Sequence, residues 1–111
     1  MEIRDTEKVC ILAPLNPVLD SYESSRILKR ILADSREIAL DLRFAHDCTI
    51  EFIEMLKEAA ALKNIGVFNI PSDIFALFNF MQVDKFARLF VSETDFEEET
   101  RQLINRQFAV L

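Results

Sequence analysis

Glycine is almost missing from this chain: Gly66 is the only one in 111 residues. A loop that cradles phosphate with its backbone needs several residues without a Cβ, so Gly-rich nucleotide loops are excluded. Tryptophan is absent and tyrosine occurs once, against ten phenylalanines, which points to a core built on Phe. Cysteine occurs only at Cys10 and Cys48, in no Cys-x-x-Cys pair, and His46 is the single histidine. These three side chains cannot supply the four ligands of a structural zinc site, and two cysteines do not make a disulfide scaffold. No metal and no cofactor are expected. Basic residues are outnumbered, 13 against 19 acidic, for a formal net charge of −6. Nucleic acid is therefore not an expected partner, because phosphate binding needs a basic face. An anionic membrane surface is disfavoured on the same ground. No apolar run approaches the length of a bilayer span. The opening Met1-Glu2-Ile3-Arg4-Asp5 is charged from the start, unlike a signal peptide. The expectation is a cytoplasmic protein with no membrane insertion.

What is present reads as one domain over residues 1–111, with half of the residues apolar. Strand and helix patterns alternate with short joints, the signature of an α/β fold. Glu2 to Thr6 reads as a short edge strand. Val9 to Ala13 is a continuous apolar run, as in a strand covered on both faces, and Pro14 and Pro17 end it. Asp20, with Glu23 three residues on, predicts a helix start. Ile27, Leu28, Ile31 and Leu32 form that helix's apolar stripe, with Lys29 and Arg30 facing water. Ile38, Leu40 and Leu42 alternate with Ala39, Asp41 and Arg43 as in a strand, which turns Asp41 toward a solvated or loop-contacting side. Asp47 is placed to cap a second helix striped with Phe52, Met55, Leu56, Ala59 and Ala60. Gly66 reads as the turn into a strand Val67-Phe68-Asn69-Ile70. Pro71-Ser72-Asp73 opens a third helix with Ile74, Leu77, Phe78 and Met81 on one face. Leu89 to Val91 is a short strand. Thr94 and Glu97 read as the capping box of a last helix striped with Phe96, Leu103, Ile104 and Phe108. The order is β-β-α-β-α-β-α-β-α, and each strand–helix–strand step favours parallel pairing.

In that order the local sequences resemble a STAS domain, the family of anti-sigma-factor antagonists. Pro14-Leu15-Asn16-Pro17-Val18-Leu19-Asp20-Ser21 resembles the family's apolar run followed by Gly-x-Leu-Asp, with Pro17 where the family prefers Gly. Ile38-Ala39-Leu40-Asp41-Leu42 is similar to its hydrophobic–Leu-Asp-Leu strand. Asp47-Cys48-Thr49-Ile50 stands where the family has Asp-Ser-Ser-Gly or Asp-Ser-Thr-Gly. Residues 62–90, with Lys63-Asn64-Ile65-Gly66, Pro71-Ser72 and Val83-Asp84-Lys85-Phe86, resemble its tail. The resemblance implies a mixed, mostly parallel sheet of 4–5 strands, with about four helices packed mainly on one face. It also implies a non-enzymatic regulator that docks on an anti-sigma factor or a serine-kinase-like ATPase, or assembles with its own kind. In regulatory members the serine after the Asp takes a phosphate. Here that position is Cys48, and Ile50 replaces the glycine.

The candidate partner-binding loop is accordingly Asp20, Asp47, Cys48 and Thr49, with Thr49 the only hydroxyl in the loop at 47–50 able to accept phosphate. A phosphate at a helix N-terminus would meet free N–H groups and the helix dipole. The plainer reading of Asp20, Asp47 and Thr49 is that they cap helices. Cys48 reads either as a thiol activated at a helix N-terminus or as a small buried filler. His46 would need a nucleophile and an orienting group to be a general base, and the plainer reading is an exposed side chain. Phe75 and Phe80 lie off the core stripe of their helix and are candidate docking aromatics, unless that helix is buried on two sides. The acidic run Glu93 to Glu99 reads as a solvated first turn. Two rivals stand beside the regulator: a degenerate scaffold or dimerisation subunit without a phosphoswitch, and an enzyme or phospho-receiver of the doubly wound kind. A receiver would need acids after the first strand, where this chain has Pro14, and an Asp at the end of the middle strand, where Asp41 reads as lying inside it.

Overall fold

The computed structural model of the chain describes residues 1–100 and 102–103. Four strands form its parallel centre: β2 (Val9–Ala13), β4 (Glu37–Asp41), β6 (Ile65–Phe68) and β7 (Arg88–Phe90). β1 (Glu2–Asp5) adds antiparallel to β2, and β8 (Gln102–Leu103) adds antiparallel to β7. The order across the sheet is β1-β2-β4-β6-β7-β8. A separate two-stranded parallel pair joins β3 (Val18–Leu19) to β5 (Asp47–Cys48). The helices are α1 (Ser21–Leu32), α2 (Ile50–Ala60), α3 (Ser72–Phe80) and α4 (Glu93–Glu98), with a 3-10 turn at Val83–Lys85. The fold is α/β with a mixed, mostly parallel sheet. The sheet has six strands rather than the expected 4–5, because β8 follows α4 where the stripe predicted continuing helix.

Register assigns the two faces. Cys10, Leu12, Ile38, Leu40, Ile65, Val67 and Leu89 point one way, since neighbours in a strand alternate. They pack in one cluster with Ile27 and Ile31 of α1, Phe52 and Leu56 of α2, and Ile74 and Phe78 of α3. The Phe52 and Phe78 rings stack with centroids 6.4 Å apart. The stripe of α1 is narrower than its pattern: Ile27 and Ile31 are buried, while Leu32 is half exposed. The opposite face carries Ile11, Ala39, Phe68 and Phe90, and a second cluster forms there under Phe96 of α4. Three helices therefore share one face and α4 alone lies on the other.

Three local expectations are corrected. Gly66 is not a turn: it lies within β6 at a negative φ, in line with Ala39. A Cβ there would sit 2.8 Å from Cδ1 of Phe96 and closer still to Cε1. The missing side chain makes room for that ring, and the strand ends at Phe68, before Asn69 at φ 54°. The last helix is capped two residues early, by Ser92, whose Oγ accepts from the Asp95 N–H at 3.2 Å. Thr94 and Glu97 are exposed instead. That helix stops at Glu98, because Glu99 turns left-handed (φ 55°) and the Thr100 amide returns to the Asp95 carbonyl at 2.9 Å. Leu103 is consequently a strand residue. Ile104 and Phe108 lie outside the described residues. No helix among the described residues is long and apolar enough to cross a membrane.

Candidate functional site

The β3–β5 pair brings the two candidate loops together. Val18 lies opposite Asp47 and Leu19 opposite Cys48. The loops are further tied by His46 N–H to the Pro17 carbonyl at 2.7 Å, Asp47 N–H to the same oxygen at 3.2 Å, and Thr49 N–H to the Leu19 carbonyl at 3.0 Å. Pro17 suits this edge, since it has no N–H to leave unpaired. Asp20 and Thr49 follow the paired residues, one on each strand, and are the N-caps of α1 and α2. Two helices thus start side by side at the edge where β2 and β4 end. Parallel helices that begin together turn their free N–H groups and positive dipole ends the same way.

The two caps differ in their bonding. Asp20 Oδ1 accepts from the Glu23 N–H at 3.0 Å, so Asp20 is engaged in holding α1. Thr49 makes no side-chain cap bond; its hydroxyl donates only weakly, at 3.5 Å, to the Leu19 carbonyl. Asp47 does not cap α2. It belongs to β5, and its Oδ1 accepts from the Cys48 N–H at 2.8 Å. The strand conformation ahead of the helix moves the cap to Thr49. Cys48 is buried, and burial, reinforced by the Asp47 charge, pushes its thiol up to about 11. At neutral pH it is a protonated filler and not an activated thiolate. His46 is exposed.

The same edge carries apolar side chains that no sequence pattern had marked. Leu15 and Val18 in the β2–α1 connection, Tyr22 in the first turn of α1, Phe44 before β5 and Ile50 at the start of α2 are all exposed large hydrophobics. Only Ile50, standing where a small residue was expected, carried any signal in advance. These side chains lie in the segments that lead into the two helix starts or in their first turns, and they leave apolar surface in water at this edge.

The docking aromatics separate. Phe80 is 81% exposed. Phe75 is half-buried against the larger core and lines a shallow cleft of about 270 Å³ with Ile70, Phe90 and Leu103. The two do not form a joint exposed pair.

Asp41, expected on a solvated or loop-contacting side, is fully buried at the last position of β4. Its carboxylate accepts from Arg4 Nη2 at 3.1 Å and from Asn69 Nδ2 at 3.1 Å, and Arg43 Nε lies 3.3 Å away. Arg4 in turn forks onto Glu93, at 2.9 and 2.8 Å. A carboxylate so enclosed by cations is a structural tie and is poorly placed as a phosphate acceptor. Among the described residues, one group has three side chains close enough to share an ion: Asp5, Cys10 and Asp34. Arg36 already occupies it, with Nη2 at 2.8 Å from Asp5 and 2.6 Å from Asp34. These hydrogen bonds from Arg36 hold the Asp34 carboxyl well below the usual carboxylate range. Burial pushes the Cys10 thiol up to about 11, which makes it a poor ligand.

Compared with known proteins, the chain matches no family model and no curated protein.

Proposed function

We propose that the chain is a non-enzymatic, protein-binding regulatory module of the STAS type, which docks an anti-sigma factor or serine-kinase-like ATPase. The contact is the edge around Asp20, Asp47, Cys48 and Thr49. One observation carries this reading: the β3–β5 pairing sets two helix starts side by side, and the segments that lead into them and their first turns carry the exposed apolar side chains Leu15, Val18, Phe44 and Ile50. Thr49 is the phosphate acceptor in this reading. Its hydroxyl has only a weak internal bond, and a phosphate on it would sit at the open start of α2, adding nearly two negative charges to the contact.

A second reading is favoured by Cys48. The position where regulatory family members carry the acceptor serine holds a buried thiol without a hydroxyl, as a scaffold or dimerisation subunit without a phosphoswitch would. Native mass spectrometry with phosphosite mapping, on protein from its own host, separates the two. A complex with an ATPase-fold protein, phosphate on Thr49, and loss of the complex in Val18→Asp and Ile50→Asp but not in Leu62→Asp are expected. A stable homo-oligomer with Thr49 unmodified, indifferent to Val18→Asp and Ile50→Asp, overturns the regulator and supports the scaffold.

A further inference from the structure

Among the described residues, the α4 face of the sheet carries an open groove of about 580 Å³, within the range of ligand sites. It lies at the starts of β2, β4 and β7, marked by Val9, Glu37 and Arg88, and so at the opposite end of the sheet from the candidate site. The short α4 covers only part of this face. Val9 and Ile11, beside the Phe96 ring, supply an apolar lining. Five carboxylates surround it: Glu7 from the β1–β2 turn, Glu37 from β4, and Glu97, Glu98 and Glu99 from the end of α4. The cations there are Lys8 and Arg88, and Arg88 is already paired with Glu37 and, at 3.0 Å, with Glu99. Glu7, Glu97 and Glu98 have no cationic partner within salt-bridge distance among the described residues.

We infer that this groove binds a basic peptide segment of a partner protein, with an apolar residue seated over Val9 and Phe96 and flanking Lys or Arg side chains on the carboxylate rim. Charge complementarity selects the occupant. Carboxylates on three separate segments are met by several spaced cations on one chain, not by a single small cation. Long basic side chains also cover apolar surface with their stems while their heads reach the rim. A second copy fits less well. The chain is acidic overall, and of the basic side chains in a groove that α1 lines together with Met1 and Ile3, Arg26 and Arg30 are already paired with Glu23 and Asp34. The inference stands apart from the proposed function, since it uses neither Thr49 nor the apolar edge.

The test is fluorescence anisotropy with the full chain and a labelled peptide alternating lysine and leucine, against pentalysine and a glutamate–leucine peptide. The Lys–Leu peptide is expected to bind and the glutamate peptide not to. Glu97→Gln with Glu98→Gln should weaken binding roughly three- to tenfold, as rim charges do. Val9→Thr, which keeps the strand-forming branch, should weaken it roughly threefold. Glu54→Gln with Glu58→Gln, exposed on α2, should leave it unchanged. Equal loss in the α2 variant would mean unspecific charge attraction and overturn the inference, as would binding of pentalysine that is indifferent to Val9→Thr. Sedimentation that finds a dimer dissolved by the Glu97 and Glu98 changes would make a second copy the occupant. Binding seen only after removal of residues 104–111 would assign the groove to the chain itself. Either result overturns the partner peptide.

Discussion

Asp41 has no solvent contact, yet its two oxygens meet two guanidinium groups and an amide. Asn69 reaches it because it stands at φ 54°, a conformation asparagine tolerates better than most residues. Removing the carboxylate leaves Arg4 and Asn69 with unmatched donors. Arg4 is partly exposed and keeps Glu93, which softens the loss. Asp41→Ala should cost about 2–3 kcal/mol in urea melts, with Asp41→Asn closer to wild type. The thiols are a second case. Cys10 and Cys48 both stand at about 11 in the fold, against 9.0 without it. Between those values the unfolded chain has lost the protons that the folded chain keeps, so stability should fall as pH rises from about 9 to about 11. Denaturation midpoints across that window check it, and Cys48→Ala should flatten the decline. Below it, neither thiol should react with iodoacetamide until the chain unfolds.

Among elements, α1 and α2 begin alike and are held differently. Asp20→Ala removes a bonded cap and should cost about 1 kcal/mol. Thr49→Ala removes no cap bond and should leave the melting temperature nearly unchanged. If Thr49 then proves necessary for complex formation, stability cannot account for it. α4 has only six residues and is held to the sheet largely by Phe96, whose ring meets Phe68 at 5.5 Å and Phe90 at 5.6 Å. The ring lies where a Cβ of residue 66 would be. Gly66→Ala should destabilise by about 1–3 kcal/mol through overpacking. Phe96→Leu in the same chain should recover part of that loss, a coupling that a double-mutant cycle in urea would read.

At the scale of the whole molecule, the sheet has two unlike faces among the described residues, one closed by three helices and one partly open under α4. Its two ends also differ, with apolar loops at the ends of β2 and β4 and carboxylates where β2, β4 and β7 begin. The ion pairs tie distant segments: Arg36 joins the end of β1 to the α1–β4 turn through Asp5 and Asp34. The Asp34 carboxyl is held below its ordinary 3.8 by Arg36. The unfolded chain therefore takes up that proton first, and the stability this pair contributes is present above pH 3.8 and lost as pH falls below it. Asp34→Asn should lower stability at pH 7 and flatten the acid limb below pH 4, measured by urea midpoints from pH 2 to pH 7.

Period and capping chemistry act within a few residues, and on that range the sequence alone determined most of the elements. The alternation at 38–42, the stripe of α2 and the Asp20 cap are local patterns, and the structure has them. The alternating order was enough for an α/β fold with a parallel centre. Contacts across long separations decided the rest. Gly66 looks like a turn until Phe96, thirty positions away, is set against it. Leu103 fits a helical stripe until Glu99 reverses the chain and β7 offers an unpaired edge. Asp47, Cys48 and Thr49 could be picked out as a loop, but their junction with Asp20 depends on the backbone pairing of residues 18–19 with residues 47–48, which no side-chain pattern announces. The exposed apolar edge was invisible for the same reason: Leu15, Val18 and Phe44 read as any hydrophobic residue does, and only the tertiary fold determines which hydrophobic side chain finds a core and which is left facing solvent.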